Sequence, residues 1–354
     1  MSAPKASRSA ADATNAMAER LAGFVAREEG LAVERVRATG LRRLAGGASR
    51  EIWSVDLSIE RDGGVEELPL VVRKDPAGRV GDGGDRSVEL SVLRAAFAGG
   101  VPVPRPRWGT SDASVLGAPF FLMDRIDGEA LPRRLLRDDA YTAARAGMAP
   151  ALGAIAARIH AIDIAHPELA ALPHPPRDRS PARAEVERVA ASIQQLAVEP
   201  HPVLDLAERW LLERAPAPPR IALVHGDYRV GNVIFDASGV RAILDWELVH
   251  LGDPIEDLGW LCTRAWRFGS PLPAGGVGTR EQLVDAYEAA SGTKVDRDAL
   301  RFWEAFGSFK LALVFIMQSR VFLDGRVRSV ELASLGRRTV EAEDELLRFL
   351  RGEA

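Results

Sequence analysis

The sequence predicts an α+β fold of two lobes, a small β-rich N-terminal lobe followed by a larger and mainly helical C-terminal lobe. At 354 residues the chain is long for one hydrophobic core, because domains usually hold on the order of 100 to 200 residues. Short β-like runs separated by glycine-rich turns occupy residues 41–123. Helical spacing of apolar residues dominates after that segment. We therefore place the lobes at residues 1–123 and 124–354.

The N-terminal lobe is predicted to contain a leading helix, an antiparallel sheet and one further helix. An amphipathic pattern from Ser9 to Gly30 predicts the leading helix. The β-like runs are Glu51–Ile59, Leu68–Arg73 and Pro119–Met123. Between the last two runs, Val88–Phe97 is predicted to be helical, with Ser87 as its N-cap.

The C-terminal lobe is predicted to be helical except for one β-rich insert. The helices are expected at Tyr141–Ile162, Ala182–Ala197, Leu204–Arg214, Arg280–Ala290, Ala299–Phe322 and Val330–Leu350. The insert covers residues 221–244. Within it, Val233–Phe235 and Val240–Leu244 flank a turn signal at residues 236–239, which predicts a β-hairpin.

Composition excludes several classes of protein. Hydrophobic residues make up 47% and charged residues 27% of the chain, which is typical of a globular protein and not of a disordered or fibrous one. A net charge of −4 lacks the basic excess of a nucleic-acid-binding protein. The single cysteine, Cys262, forms no intramolecular disulfide. With a polar N-terminus and no long uncharged apolar run, we expect a cytoplasmic protein without nucleic-acid or membrane partners.

The hairpin predicts a group of polar side chains. Asn232 enters its first strand and Asp245 leaves its second, and antiparallel strands start and finish at the same end. A carboxylate beside an amide oxygen offers two hard oxygen ligands, which suit Mg²⁺ completed by water and phosphate oxygens. Asp227 lies five residues before Asn232. It can take a proton from a hydroxyl nucleophile while the metal holds a phosphate, which is the division of labour in kinases.

The same residues carry a resemblance to a known family. The motif comprises His225-Gly226-Asp227, Asn232, Leu244–Glu247, Leu251–Pro254, and Asp257 with Leu258. In order and spacing it closely resembles the aminoglycoside phosphotransferase-like (phosphotransferase enzyme) family. More narrowly, it is similar to the subgroup related to the kinase-like domain that precedes an acyl-CoA dehydrogenase in some animal proteins. The resemblance covers residues 41–325 and implies a bilobal, protein-kinase-like fold.

The resemblance implies roles for residues of the C-terminal lobe. Asp227 would be the catalytic base, and Asn232 and Asp245 would complete the catalytic set as Mg²⁺ ligands. His225 would shape the loop through hydrogen bonds. Asp253 and Asp257 are interpreted as caps and anchors of the segment that follows them.

The resemblance also implies a nucleotide site in the N-terminal lobe. Gly46, Gly47 and Ser49 would belong to a loop that covers the phosphates. Arg73 would face the nucleotide, with Lys74 as the alternative cation. Glu89 lies on an otherwise apolar helix face, where an unpaired carboxylate is costly, so we expect it to pair with Arg73.

At the end of the N-terminal lobe, the main chain of Met123, Asp124 and Arg125 would contact the adenine edge. This segment follows the two phenylalanines of the last predicted strand. A buried edge strand is the competing interpretation of those phenylalanines, and the two are compatible.

The predicted function is that of an ATP-dependent small-molecule kinase that uses Mg²⁺ and transfers the γ-phosphate to an acceptor hydroxyl. GTP is a possible alternative to ATP. The alternative functions are a metal-dependent phosphoesterase and a non-catalytic nucleotide-binding protein. The acceptor stays open between an aminoglycoside, a hydroxy acid or its thioester, and another metabolite. Lys310 and Arg320 beside Glu304, on the helix expected to line the pocket, favour an acidic or neutral acceptor.

Overall fold

The chain divides into two compact units in the computed structural model, which describes residues 4–44, 51–75, 86–218 and 220–353. The N-terminal unit comprises Met1–Ala98 and Val103–Asp127, and the C-terminal unit comprises Gly99–Pro102 and Gly128–Ala354. A five-stranded antiparallel sheet in the first unit and a mostly helical second unit confirm the predicted α+β class.

The sheet of the N-terminal unit has two strands that the sequence pattern did not predict. Its strands are β1 (Val36–Arg43), β2 (Glu51–Arg61), β3 (Gly64–Lys74), β4 (Pro106–Thr110) and β5 (Phe120–Asp124). They pair antiparallel in the order β1-β2-β3-β5-β4. The two strands missed, β1 and β4, form the edges. One carries three arginines, and the other begins with proline and contains Gly109, so neither shows a clear strand pattern.

Among the described residues of this unit, the helices are α1 (Pro4–Glu29), α2 (Arg86–Ala98) and α3 (Ala113–Leu116). The first covers one face of the sheet, where Phe24 packs edge-on against Phe120 with ring centroids 5.0 Å apart. On the sheet, Leu70 and Val72 of β3 point into the same core. Because strand side chains alternate, Val71 and Arg73 point to the opposite face. The predicted N-cap Ser87 is wrong, since α2 already begins at Arg86.

The C-terminal unit contains nine helices and four short strands among the described residues. The helices are α4 (Pro132–Arg137), α5 (Thr142–His160), α6 (Pro181–Leu196), α7 (Pro202–Arg214), α8 (Ile255–Cys262), α9 (Arg280–Ser291), α10 (Arg297–Leu323), α11 (Val330–Leu335) and α12 (Thr339–Arg351). The strands are β6 (Ala222–Val224), β7 (Val233–Asp236), β8 (Gly239–Ile243) and β9 (His250–Gly252). The single helix predicted over Val330–Leu350 is wrong. A 3₁₀ turn at Gly336–Arg338 separates α11 from α12, consistent with the low helix propensity of glycine.

The helix α10 forms the centre of this unit and packs against α6, α7, α8 and α12. It packs closely against α8 at Gly259, where a Cβ atom would lie 2.4 Å from the Cβ atom of Trp303. Within the described residues, α10 is the one helix long and apolar enough to cross a membrane, judged by length and composition. However, 56% of its most apolar window is buried inside the protein, and buried core helices pass the same test.

Candidate functional site

The predicted hairpin is present and brings Asn232 and Asp245 to the same end. Val233 of β7 is paired with Ile243 of β8. Just beyond this pair, the Leu244 amide donates to the Asn232 carbonyl over 2.8 Å. The next residue, Asp245, has a φ of 68°, a left-handed conformation that is uncommon outside glycine and is often found at functional sites.

The Asp227 carboxylate is held by three side-chain donors. Asn232 Nδ2 donates to its Oδ2 over 2.6 Å, and Trp260 Nε1 donates to its Oδ1 over 2.8 Å. Arg229 Nε lies 3.0 Å and 3.2 Å from the two oxygens. Asn232 Nδ2 also donates to the Asp227 carbonyl over 3.0 Å. These contacts fix the carboxylate in one orientation and connect it to the hairpin.

The loop before Asp227 is shaped by His225 and Gly226. His225 Nε2 donates to the Leu244 carbonyl over 3.0 Å, and its Nδ1 accepts from the Asp227 amide over 3.2 Å. Burial lowers the pKa of His225 and so favours the neutral imidazole, the form that this hydrogen-bond pattern requires. Gly226 has a φ of 78°, and a Cβ atom here would lie 2.2 Å from the Leu248 carbonyl oxygen. The loop therefore requires glycine at this position.

A buried carboxylate, Asp257 on α8, anchors this loop. It accepts hydrogen bonds from the backbone amides of His225 over 2.8 Å and Gly226 over 2.9 Å. His160 Nε2 lies 3.0 Å from the same carboxylate, and His160 Nδ1 lies 3.0 Å from the Tyr287 hydroxyl. Burial would raise the pKa of Asp257, but His160 and the loop amides outweigh it and lower that pKa. Asp257 thus anchors the loop that precedes it, and not only the segment that follows.

A second buried group contacts the loop from α10. Lys310 Nζ donates to the Gly226 carbonyl over 3.0 Å and to Glu256 over 3.2 Å. Glu256 also lies 3.1 Å from His250 Nε2. Burial disfavours the charged forms of His250 and Glu256, but the Glu256 carboxylate raises the pKa of His250 to about 9. In turn, His250 and Lys310 lower the pKa of Glu256 to about 2.

These contacts correct the interpretation of Lys310, Arg320 and Glu304 as acceptor-binding residues. Lys310 is buried against the loop. Arg320 is paired with Asp324 over 2.8 Å. Glu304 accepts two hydrogen bonds from Arg280, over 2.5 Å and 2.7 Å. All three side chains are used inside the unit, so they give no indication of the charge of an acceptor.

In the N-terminal unit, the expected ion pair between Arg73 and Glu89 is present. Arg73 Nη1 lies 3.0 Å from Glu89 Oε1, and both side chains are buried. Arg86 also pairs with Glu89, and its Nε donates to Asp75 over 2.8 Å. Arg86 was not predicted to take part. The helix glutamate is therefore held by two arginines on the face of the sheet opposite α1.

The other cation candidate points away from this pair. Lys74 lies 3.0 Å from Glu51 of β2, and strand alternation directs it to the sheet face opposite Arg73. Arg73 is therefore the cation paired with the helix glutamate. The predicted covering residues Gly46, Gly47 and Ser49 lie outside the described residues.

The segment expected to contact adenine ends β5. Met123 is buried, the Asp124 amide donates to the Arg105 carbonyl over 2.9 Å, and the Arg125 amide donates to the Pro69 carbonyl over 2.9 Å. Two of the expected main-chain donors are thus already used inside the sheet. An adenine contact at this segment would use other main-chain groups.

The sequence pattern did not predict two residues of the site, Arg229 and Trp260. Arg229 lies two positions after Asp227, in the centre of the motif, and its charge was the available signal. Trp260 lies three positions after Asp257 on α8, a spacing that puts both on one helix face. That spacing would have revealed Trp260 only if Asp257 had been recognised as a loop anchor.

Curated relatives match most of the chain. Acyl-CoA dehydrogenase family member 10 of Mus musculus is 27% identical over 287 residues, which is 76% of this chain and 26% of the relative. The chain therefore spans about a quarter of the length of that relative.

Solved structures share the fold. A candidate aminoglycoside phosphotransferase from Ralstonia eutropha has a TM-score of 0.70 at 23% identity, covering 94% of this chain and 98% of the other. The aminoglycoside phosphotransferase APH(4)-Ia, solved with AMP-PNP and hygromycin B, has a TM-score of 0.55 at 14% identity, covering 93% and 98%. These similarities confirm the protein-kinase-like fold.

A family model gives the most specific result. Residues 40–303 match the model of the phosphotransferase enzyme family. The match includes every residue of the loop and hairpin described above. The predicted resemblance and enzyme class are confirmed: the chain belongs to the phosphotransferase enzyme family.

Proposed function

We propose that this phosphotransferase is an ATP-dependent kinase that transfers the γ-phosphate to a hydroxyl of a small molecule, with Asp227 as the base and Asn232 and Asp245 as Mg²⁺ ligands. The proposal is carried by one observation. Asn232 is bonded through its side chain to the Asp227 carboxylate over 2.6 Å and through its backbone to Leu244, the neighbour of Asp245. Three residues of the kinase motif are thereby joined in one network.

The surroundings of Asp227 support a positioning role. In the proposed step the acceptor oxygen forms a new bond to the γ-phosphorus, the bond to ADP breaks, and the hydroxyl proton passes to Asp227. Phosphoryl transfer depends mainly on alignment and charge stabilisation. The donors from Asn232, Arg229 and Trp260 hold the carboxylate still, so a hydroxyl bound to it would be aligned before the reaction.

The donor set at the hairpin fits a magnesium ion. Asn232 Nδ2 donates to Asp227, which leaves its amide oxygen as the atom for a cation, and Asp245 supplies a carboxylate. Mg²⁺ is commonly held by one or two protein oxygens together with phosphate oxygens. When bound, it would neutralise charge on the transferring phosphate.

The histidine of the motif argues against the phosphoesterase alternative. Two-metal hydrolases use several histidine and aspartate ligands. Both ring nitrogens of His225 are instead hydrogen-bonded to the backbone, one to the Leu244 carbonyl and the other to the Asp227 amide. His250, the other histidine near the motif, is paired with Glu256.

The nucleotide side of the proposal rests on Arg73. In kinases a basic residue on the sheet, held by a helix glutamate, contacts the nucleotide phosphates. The buried pair of Arg73 and Glu89 supports this role. We infer ATP as the donor, and a parallel measurement with GTP distinguishes the two nucleotides.

Two assays test the proposal. Hydroxylated metabolites, aminoglycosides included, are screened for ATP-dependent phosphorylation, and nucleotide binding is measured by thermal shift with and without Mg²⁺. With an acceptor in hand, Asp227→Ala should lower kcat at least about 100-fold, as expected for loss of a general base, while Mg-ATP still binds. Asp236→Ala, at the turn of the same hairpin, is the matched control and should keep kcat. Full turnover by Asp227→Ala would refute the assignment of the base.

A further inference from the structure

A cavity of about 820 Å³ lies in the C-terminal unit beside Trp266. Its volume falls within the range of small-molecule sites, roughly 300–1,000 Å³. Phe268, Leu311 and Phe315 contribute apolar walls, and α4 contributes Arg133 and Arg137. These two arginines are four residues apart and therefore lie on one face of the helix. We call this space the arginine cavity.

The charges around the arginine cavity do not cancel. Each of its three carboxylates is already paired with an arginine: Glu341 with Arg338 at 2.9 Å, Asp344 with Arg348 at 3.0 Å, and Glu345 with Arg264 at 3.3 Å. Arg133 and Arg137 are exposed, and within the part of the chain that the structure describes neither has an ion-pair partner. The cavity therefore presents two uncompensated positive charges beside an apolar wall.

The arginine cavity is connected through Trp266 to the side chains around Asp227. Trp266, on its wall, lies with its ring centroid 4.6 Å from Arg229 Cζ, and Arg229 is bonded to Asp227. The same ring lies 5.3 Å from that of Trp260, whose Nε1 donates to Asp227. Between the cavity and the Asp227 carboxylate therefore lie Trp266 and, behind it, Arg229 and Trp260, which contact this carboxylate.

We propose that the arginine cavity binds the acceptor through an anionic group, a carboxylate or a phosphate ester, held by Arg133 and Arg137. Arginine is suited to both groups because its guanidinium donates two parallel hydrogen bonds to an oxyanion. The hydrocarbon part of the acceptor packs against Phe268, Leu311 and Phe315, and its hydroxyl points toward Asp227. This inference rests on the proposed function, since it names the substrate class of the same site. A polycationic acceptor is disfavoured, because the two arginines would repel it.

Four probes of equal chain length separate the possibilities: ω-hydroxyoctanoate, ω-hydroxyoctyl phosphate, octanediol and aminooctanol. Their affinities for the whole chain are measured by calorimetry without nucleotide, and their phosphorylation is then measured with Mg-ATP. The variants are Arg133→Gln, Arg137→Gln and the double variant. Arg209→Gln, a change of the same charge at an exposed position of α7 outside the cavity, is the matched control. Thermal melting of each variant verifies folding.

The anionic probes should bind more tightly than the diol and the amine. Each arginine substitution should weaken their binding about tenfold, as expected for one charge-assisted hydrogen bond, and Arg209→Gln should not. Comparing the carboxylate with the phosphate identifies the preferred anion. Equal or tighter binding of the diol or amine, or anion binding that survives the double variant, would overturn the inference.

The proposed function and this inference fail in different ways. Arginine-dependent anion binding without phosphate transfer to any acceptor in the screen would support the cavity and refute the kinase proposal. ATP-dependent phosphorylation of a cationic acceptor, unchanged in the double variant, would support the kinase and refute the anion site.

Discussion

Replacing Asp257 with asparagine should loosen the loop that carries Asp227 while the rest of the C-terminal unit stays folded. The wild-type carboxylate accepts from two backbone amides, those of His225 and Gly226, and pairs with His160. Asparagine keeps one acceptor oxygen and replaces the other with an NH₂ group. One loop amide then faces a donor, and the charge that stabilised both amides is lost.

The expected magnitude follows from these contacts. Hydrogen bonds to a charged group contribute about 1.5 to 3 kcal/mol each, and a buried N–H group left without an acceptor costs a similar amount. If about 2 kcal/mol of this falls on local opening, amide exchange at His225 and Gly226 accelerates roughly 30-fold, since 1.4 kcal/mol is a factor of ten.

Hydrogen exchange measured by mass spectrometry on a peptide spanning residues 223–229 tests this prediction without an acceptor or a nucleotide. Asp253→Asn is the matched control. Asp253 is also buried, but it accepts from the Ile255 amide and from Trp303 Nε1 and does not contact the loop amides. The control should lose stability in urea yet keep the loop protected. Unchanged loop exchange in Asp257→Asn, or equal acceleration in both variants, would refute the reasoning.

Two further predictions concern the neighbours of this loop. Gly226→Ala should destabilise the protein by more than about 2 kcal/mol, because the left-handed backbone costs about 1 to 2 kcal/mol and the new Cβ atom meets the Leu248 carbonyl at 2.2 Å. Gly30 has a similar φ of 66° with open space around it, so Gly30→Ala should lower the free energy of unfolding in urea only by the cost of the left-handed backbone. Equal losses of stability in the two variants would contradict a steric clash at Gly226. The Glu256 carboxylate raises the pKa of His250 to about 9. The ion pair between them therefore stabilises the folded protein fully below pH 6.5, near the pKa of histidine in the unfolded chain, and this stabilisation is lost as the pH rises through 9. Wild-type stability in urea should therefore fall more than that of His250→Gln between pH 6.5 and 9, by about 1 to 3 kcal/mol, and parallel curves would show that the pair contributes nothing.

The part of the site that was predictable from sequence is the part set by local geometry. A turn signal between two apolar runs was enough to bring Asn232 next to Asp245, because pairing in a hairpin is determined by the turn. Arg73 and Glu89 were also paired correctly, since a charged residue on an apolar helix face needs a partner. The hairpin prediction depends on short-range periodicity, whereas the choice of Arg73 as the partner of Glu89 also used the resemblance to the family.

The rest of the site depends on contacts between distant segments. Asp257 reaches a loop more than thirty residues earlier, and no periodicity in its own helix indicates that partner. Lys310 was assigned to an acceptor pocket because its charge was visible, whereas its contacts with Gly226 and Glu256 exist only after folding. For the same reason the arginine cavity was not foreseen, since α4, α10 and α12 are far apart in the chain.

The position of Lys310 has a consequence for how this chain could acquire new substrates. Lys310 holds the Gly226 carbonyl, while the next residue of α10, Leu311, lines the arginine cavity. A substitution that widens the cavity by shifting α10 would also move the backbone next to Asp227. Laboratory evolution toward larger acceptors should therefore accumulate changes on α4 and α12, and leave the Lys310 turn of α10 untouched.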